Sequence, residues 1–448
     1  VPNSSAERNE YDVAVIGAGP AGLAAAAAAA DTGVSVALVD SGPRPGGQYW
    51  RHRTGDDGTH HHDWAEFTRL RARIREVDHL AEHAVWHIEP GFTVHATGRD
   101  PVRARRLVLA PGAHDRQLPF PGWTLPGVYT AGGVQALLKG HGVLAGKRIV
   151  VAGTGPFLLA VAAGLLDAGA GVAGVFEAGT PAGFARHPLA VAGALGKLGE
   201  GAGYLRVVGR RYRTRTMVIA AHGTGELSGV TVAKVDANWQ VVPGTERDVA
   251  CDALAVGYGF TPQLELPLQL GCATRLDADG SLVATADDRQ MSTVEGVFLA
   301  GEVCGVGGSA LAVTEGLIAG RHAAGVSAGS RLLRRRRAQR RFAGALHQAF
   351  PLRRGWLDRV GADTVVCRCE EVRHRAVTAA VDDLGATDPR TVKLLARPGM
   401  GLCQGRVCGF ATACVVADRL GRTLIEADLR GLAARPVAQP VTLGELAG

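Results

Sequence analysis

Lysine is almost missing from this chain: five lysines stand against forty-four arginines. Codon usage in a GC-rich genome explains that bias without any binding role. Aromatic residues make up only 5%. No basic stretch carries interleaved aromatics or zinc-finger spacing, so no nucleic-acid partner is expected. The opening stretch, VPNSSAERNEYDVAVIGAG, has no basic segment followed by an apolar core and a small-residue cleavage site. A secretory leader is therefore not expected. Residues 13–30 are uncharged, but Gly17, Gly19, Pro20 and Gly22 interrupt them, which argues against a membrane-spanning helix. The cysteines number eight in 448 residues, too sparse for a secreted disulfide framework. A cytoplasmic protein is the expectation.

What is abundant is glycine, at 62 residues, which favours a fold with many tight turns and close backbone approaches. The length allows about two to four domains. The formal charge of +7 has a local source, since residues 331–359 hold ten arginines against the single acid Asp358. Such a run suits an anionic surface, including a peripheral place at the inner face of a membrane. The plainer reading is a solvated helix joining two domains.

Residues 11–42 read as strand, turn, helix, strand. Val13–Ile16 is a buried apolar run, the alanines after Leu23 favour helix, and Val34–Val39 is a second β-branched run. At the first junction Gly17, Gly19 and Gly22 spell GxGxxG. Gly17 allows the tight turn, Gly19 lets the backbone approach a pyrophosphate, and Gly22 lets the helix pack on the strand. The phosphate would sit at the helix amino terminus. Asp40 closes the second strand 23 residues after Gly17, placed for the ribose hydroxyls. This pattern reads only the ADP half of a ligand, so FAD, NAD or a bare adenine nucleotide would satisfy it.

Two further segments favour FAD. Gly46, Gly47 and Gln48 in SGPRPGGQYWR form a loop that could run against a flavin. VEGVFLAGEVCGVGGSALAVTEGLIAGRHAA reads as a strand, a turn at Gly301 and Glu302, and a helix over 311–324. This resembles the second flavin motif of flavoproteins with two dinucleotide domains, where the acid after the glycine contacts the ribityl chain. The family carries Asp there, and Glu302 is one methylene longer. A second fingerprint lies between the two flavin segments. Gly153 and Gly155 match it, Leu158 takes the third position, and Glu177 ends the next strand. An acid at Glu177 would repel a 2′-phosphate, so this site reads as NAD-binding or as structural only.

A flavin half, an inserted nucleotide domain and a second flavin half resemble the glutathione and thioredoxin reductase superfamily. The join at RLVLAPGAHD fits, with Leu107–Ala110 as a strand before Gly112. The resemblance implies an α/β fold with two Rossmann-like dinucleotide-binding domains. It also implies a catalytic disulfide, and neither nucleotide domain contains a C-x2-C or C-x4-C pair. Cys251, Cys272 and Cys304 are isolated and read as small buried hydrophobes.

Four cysteines instead cluster near the end. Cys367 and Cys369 form C-x-C, and after 33 residues Cys403 and Cys408 form C-x4-C. Four thiolates suit zinc or a [2Fe–2S] cluster, though zinc pairs are usually C-x2-C. The spacing and the CxGRVCG pattern resemble the small, mainly helical BFD-like (bacterioferritin-associated ferredoxin-like) [2Fe–2S] domain. That resemblance makes all four cysteines ligands and leaves Cys414 in a helix core. His60, His61 and His62 read as an exposed loop rather than a metal site.

Taken together, PGGQYWR, LPFPGWTLPGVYTAGGVQALLK, both fingerprints and the cysteine domain resemble the α subunits of heteromeric FAD-dependent amino-acid and opine dehydrogenases. That group includes opine oxidases, D-hydroxyproline and L-proline dehydrogenases, and a hydrogen cyanide synthase subunit. The resemblance implies that a partner flavoprotein subunit, glycine/D-amino-acid-oxidase-like, oxidises the amine. This chain would pass the electrons to a downstream acceptor, with FMN at the subunit interface. No catalytic residue is then expected on this chain. The expected domains are a flavin half at 9–117, a nucleotide domain at 118–250, a flavin half at 251–330, an Arg-rich linker at 331–360, the [2Fe–2S] domain at 361–425 and a tail at 426–448. A stand-alone NADH-dependent reductase and a non-catalytic nucleotide- and metal-binding scaffold are the competing readings.

Overall fold

The computed structural model describes residues 9–446. The residues before 9, part of the stretch read for a leader, and the last two of the expected tail lie outside them. The first sheet has seven strands. Asp78–Leu80, Val36–Val39, Glu10–Ile16 and Val102–Leu109 run parallel, Val297–Leu299 joins the last of these in parallel, and Thr93–Ala96 and Val85–Ile88 add an antiparallel edge. Val36–Val39 and the carboxyl-terminal halves of the central strands, Val13–Ile16 and Leu107–Leu109, are buried and apolar, as a sheet covered on both sides requires, while Glu10, Arg103, Arg105 and Arg106 mark the exposed ends of those strands.

The alanine run forms the helix Pro20–Ala30, buried almost all round. Its small side chains admit a close neighbour, the helix Ser309–Ala323. On that helix a Cβ at Gly316 would lie 2.0 Å from the Ala21 carbonyl oxygen, and one at Gly320 would lie 2.1 Å from that of Ala25. The two glycines stand about one helical turn apart and bring the backbones together.

A second, wholly parallel sheet has the order Tyr212–Thr214, Gly171–Glu177, Arg148–Gly153, Ala253–Gly257, Val128–Thr130. The three-stranded sheet Thr216–His222, Gly229–Lys234, Arg247–Ala250 accompanies it. Ala253–Gly257 pairs with Arg148–Gly153, so the inserted unit runs past the expected boundary at 250. The chain crosses between the units twice, and the crossings pair with each other: Phe260–Pro262 lies antiparallel to Ala113–Asp115.

The arginine run forms the helix Ser330–Ala349. It is more than a solvated connection. Arg340 donates from Nε and Nη2 to Glu315 at 2.8 and 2.7 Å, Arg336 Nε reaches the same carboxylate at 3.2 Å, and Glu315 is fully buried. Beyond it, the hairpin Val365–Cys367 with Val372–Arg373 and the helices His374–Asp382, Pro389–Ala396, Gly409–Arg419 and Glu426–Ala433 form the last unit. Among the described residues no helix is long and apolar enough to cross a membrane.

Candidate functional site

The first fingerprint turn separates its three glycines by what surrounds them. A Cβ on Gly17 would lie 2.3 Å from the Ala110 carbonyl oxygen, and one on Gly22 would lie 1.7 Å from that of Gly17. Packing demands glycine at both positions. At Gly19 nothing lies within 4 Å of the Cβ position. The amino end of Pro20–Ala30 is thus open to an incoming anion, which free N–H groups and the helix dipole favour. Asp40 follows the strand Val36–Val39. Burial raises its carboxyl above the ordinary range, against the backbone N–H groups of Gly42, Ala18 and Ser41 that face it.

The loop after Asp40 lies directly on this turn. Gly46 N–H donates to the Ala18 carbonyl at 2.7 Å, and a Cβ on Gly47 would lie 2.7 Å from Gly19 Cα. Gln48 is exposed and accepts from Arg51 Nη2 at 2.9 Å. Gly112 accepts from Gln263 N–H at 3.0 Å and is open at its Cβ position. Gly301, at φ +81°, packs against the first helix, where its Cβ would lie 2.9 Å from that of Ala21. The Glu302 carboxylate turns back on its own loop and accepts from Gly307 N–H at 3.2 Å and Gly308 N–H at 3.1 Å. Burial pushes its carboxyl up to about 7.

The second fingerprint is closed on itself. Glu177 is fully buried and accepts from Thr154 Oγ1, Gly155 N and Gly179 N, each at 2.7 Å. The N–H of Gly155, which a pyrophosphate would need, is therefore already engaged. Gly153 packs so tightly that its Cβ would fall 1.7 Å from the Gly257 carbonyl oxygen, and Leu158 is buried in the core of this unit. Burial raises the Glu177 carboxyl to about 7 from an ordinary 4.5. Between those values the folded chain holds a proton that the unfolded chain has released. The contribution of Glu177 to stability is thus complete below about 4.5 and is lost as pH rises through about 7. The unfolding midpoint should fall from pH 5 to pH 8, with a shallower fall in Glu177→Gln. Equal slopes in the two proteins would refute a neutral buried acid.

The four clustered cysteines come together in two pairs. Cys408 donates its thiol to Cys367, which pulls Cys367 down to about 6 and drives Cys408 up. Cys369 faces Cys403, and burial raises the Cys369 thiol. Glycines allow this approach: a Cβ on Gly401 would lie 2.4 Å from that of Cys369, and one on Gly399 would lie 3.7 Å from Cys408 Sγ. Gly399 N–H donates to Cys367 Sγ at 3.4 Å. An all-sulfur donor set in two pairs, bonded by a backbone N–H, fits the two irons of an iron–sulfur cluster, and among the described residues no three of these thiols converge closely enough to share a single ion. Cys251, Cys272 and Cys304 are buried, far from thiolate chemistry.

Three contacts missed in the sequence dock this group, two on the Trp123–Thr124 stretch against the inserted unit and one on Glu265 of the first unit. Trp123, in LPFPGWTLPG, donates its indole N–H to the Val365 carbonyl at 2.6 Å. Arg368, between Cys367 and Cys369, donates to the Thr124 carbonyl at 3.0 Å and lies over the Trp123 ring. Arg406, inside the Cys403–Cys408 loop, pairs with Glu265 at 3.0 Å. The cleft above Gly17 and Asp40 is lined by Gln263, Glu265 and Arg406, so it joins the fingerprint to the cysteine loop. The conspicuous Arg in CxGRVCG was the available signal.

The three consecutive histidines turn to separate partners: His60 to Asp167, His61 to Asp56 and His62 to Tyr204. Among the described residues, Asp277, Asp279 and His347 are the trio whose ligand atoms converge. Arginines already pair with both acids, Arg275 with Asp277 and Arg116 with Asp279, each at 2.9 Å.

A second dinucleotide-type unit inserted into a first, with the glycine-turn N–H of the second already taken by the buried Glu177, defines a flavoprotein oxidoreductase architecture. The chain belongs to the pyridine nucleotide-disulphide oxidoreductase family, whose model matches residues 11–328, and it is an FAD-dependent oxidoreductase. It is 34% identical to the hydrogen cyanide synthase component HcnB of Pseudomonas aeruginosa over 95% of this chain and 96% of that protein. It is likewise 34% identical to an opine oxidase subunit of Rhizobium meliloti, over 98% of each. Among solved structures it shares the fold of L-proline dehydrogenase from P. horikoshii, with a TM-score of 0.72, 23% identity, and coverage of 99% of this chain and 80% of that one.

Proposed function

We propose that this chain is the electron-transferring subunit of a heteromeric amino-acid or opine dehydrogenase, holding FAD at the first fingerprint and a [2Fe–2S] cluster at Cys367, Cys369, Cys403 and Cys408. The observation that carries this reading is the cleft over Gly17, whose wall includes Arg406 from the cysteine loop. When bound, FAD supplies a two-electron acceptor able to release electrons singly, and the cluster supplies a one-electron carrier. The open helix end at Gly19 receives the pyrophosphate, and Asp40 accepts the ribose hydroxyls. Gly46, Gly47, Gln48 and Gly112 border the cofactor, and Gly301 keeps the second flavin segment against the first helix. The hairpin and the C-x4-C loop hold the iron, fixed in place by Trp123 and Glu265.

No residue of this chain is assigned to amine chemistry. A partner flavoprotein subunit carries the amine substrate, with FMN at the interface, and a separate acceptor receives the electrons. The similar opine oxidase and hydrogen cyanide synthase proteins are themselves subunits, which supports this division. The closed bonding of Glu177 supports a structural role for the second nucleotide unit.

Anaerobic purification followed by cofactor analysis, visible spectra and EPR of the reduced protein tests the proposal. Bound FAD and about two irons per chain are expected. Zinc in place of iron, or a colourless protein, overturns it. Rapid bleaching of the flavin by NADH alone would put a stand-alone NADH reductase in its place.

A further inference from the structure

The loop Cys403–Cys408 belongs to two places at once. Arg406 lies between its cysteines, yet the side chain reaches the cleft over Gly17. There Arg406 Nε pairs with Glu265 Oε1 at 3.0 Å, and its Nη2 donates to the Ala438 carbonyl. Arg435 donates from Nη1 to the same Glu265 oxygen at 2.8 Å. The side chains of Arg406, Arg435 and Glu265 are only 19%, 9% and 8% exposed. Two guanidinium groups on one carboxylate leave a positive charge unmatched beside the open helix end. Asp40 is the other acid in the cleft, and backbone N–H groups already face its carboxylate. A dinucleotide pyrophosphate is the anion such a cleft would take, because backbone N–H groups and a guanidinium both bind phosphate oxygens strongly.

We propose that Arg406 makes the cysteine loop part of the first dinucleotide site, so that cofactor binding there and iron loading at the cysteines strengthen each other. This rests on the assignment of FAD and a [2Fe–2S] cluster to this chain. The covalent path is short: Arg406 stands two residues before Cys408 and three after Cys403. Its own N–H donates to the Cys403 carbonyl at 3.1 Å, and its Nη1 does so at 3.4 Å. A ligand that fixes the guanidinium therefore also fixes the carbonyl and backbone from which Cys403 projects. Iron bound by both cysteines restricts the same loop from its other side and holds the guanidinium ready for the anion. Coupling of this kind is reciprocal by necessity.

The experiment titrates FAD, by quenching of its fluorescence, into deflavinated full-length protein in two forms, iron-loaded and iron-free after chelation. The iron-loaded form is expected to bind FAD about tenfold more tightly. Bound FAD should in turn slow the loss of cluster absorbance to a chelator. In Arg406→Gln the two FAD affinities should converge, and Arg406→Lys, which keeps the charge, should retain part of the difference. Arg419→Gln, which removes an exposed arginine paired with Asp382 in the same unit, should leave the difference intact. Equal FAD affinities in the two wild-type forms, or an undiminished difference in Arg406→Gln, overturn the coupling while leaving both cofactors in place. A protein that takes up no iron, or binds no FAD in either form, overturns the cofactor assignment and this inference with it.

Discussion

Gly22→Ala is expected to destabilise the first unit by about 3 kcal/mol, the upper end of ordinary overpacking, and to yield protein without bound FAD. On propensity alone the change should help, because alanine in place of a helix-interior glycine gains about 1 kcal/mol. Contact decides otherwise. The added Cβ would lie 1.7 Å from the carbonyl oxygen of Gly17 and 2.9 Å from its carbon, both backbone atoms that no rotamer change can move. Relief would require the helix Pro20–Ala30 to lift from the strand Glu10–Ile16. That would open the turn and disturb the packing of Gly316 and Gly320 on Ala21 and Ala25. Gly19→Ala provides the comparison, since nothing lies within 4 Å of its Cβ position. It should keep the wild-type unfolding midpoint and lower FAD affinity, because its methyl group would occupy the space left for phosphate. Thermal unfolding and flavin absorbance check both variants. A Gly22→Ala protein that folds with wild-type stability would disprove the packing argument.

The contrast between these two glycines shows how much is legible in the sequence. The GxGxxG spacing encodes a local event, a strand turning into a helix, and local events leave a regular trace. The order of flavin half, inserted unit and flavin half is legible for the same reason, since each strand–turn–helix carries its own period. The boundary at 250 is less so, because Ala253–Gly257 is an apolar run that either sheet could accept, and its partner Arg148–Gly153 lies far away in sequence. The direction of Glu302 is not legible at all. The motif predicts an acid at that turn, but the carboxylate faces Gly307 and Gly308 of its own loop. The docking of the cysteine unit depends on Trp123, Thr124 and Glu265, single residues without periodicity whose partners are more than a hundred positions away.

Arg340→Met should cost about 3–5 kcal/mol, the usual penalty for removing one partner of a buried ion pair. In sequence the run 331–359 is an undifferentiated block of positive charge. The fold separates it: Arg337 reaches the exposed Asp288, whereas Arg340 presents both Nε and Nη2 to Glu315 and its Nη1 to the Gly305 carbonyl at 2.8 Å. Glu315 has no water to fall back on, and its carboxylate also accepts from Gly301 N–H at 3.2 Å. Methionine fills much of the same volume but leaves that carboxylate with Arg336 as its one remaining cation, held at 3.2 Å. The double variant Arg340→Met, Glu315→Leu removes the stranded charge. It should recover most of the loss, a coupling of about 2–3 kcal/mol in a double-mutant cycle. Arg337→Met, at an exposed pair, should change stability by less than about 1 kcal/mol. Denaturant unfolding of the wild type, the three single variants Arg340→Met, Glu315→Leu and Arg337→Met, and the double variant distinguishes a buried electrostatic anchor from a solvated helix. If Arg340→Met and Arg337→Met proved equally mild, the helix would be the simple connection that its composition suggests. The turn at Gly301 and Glu302 would then owe nothing to it.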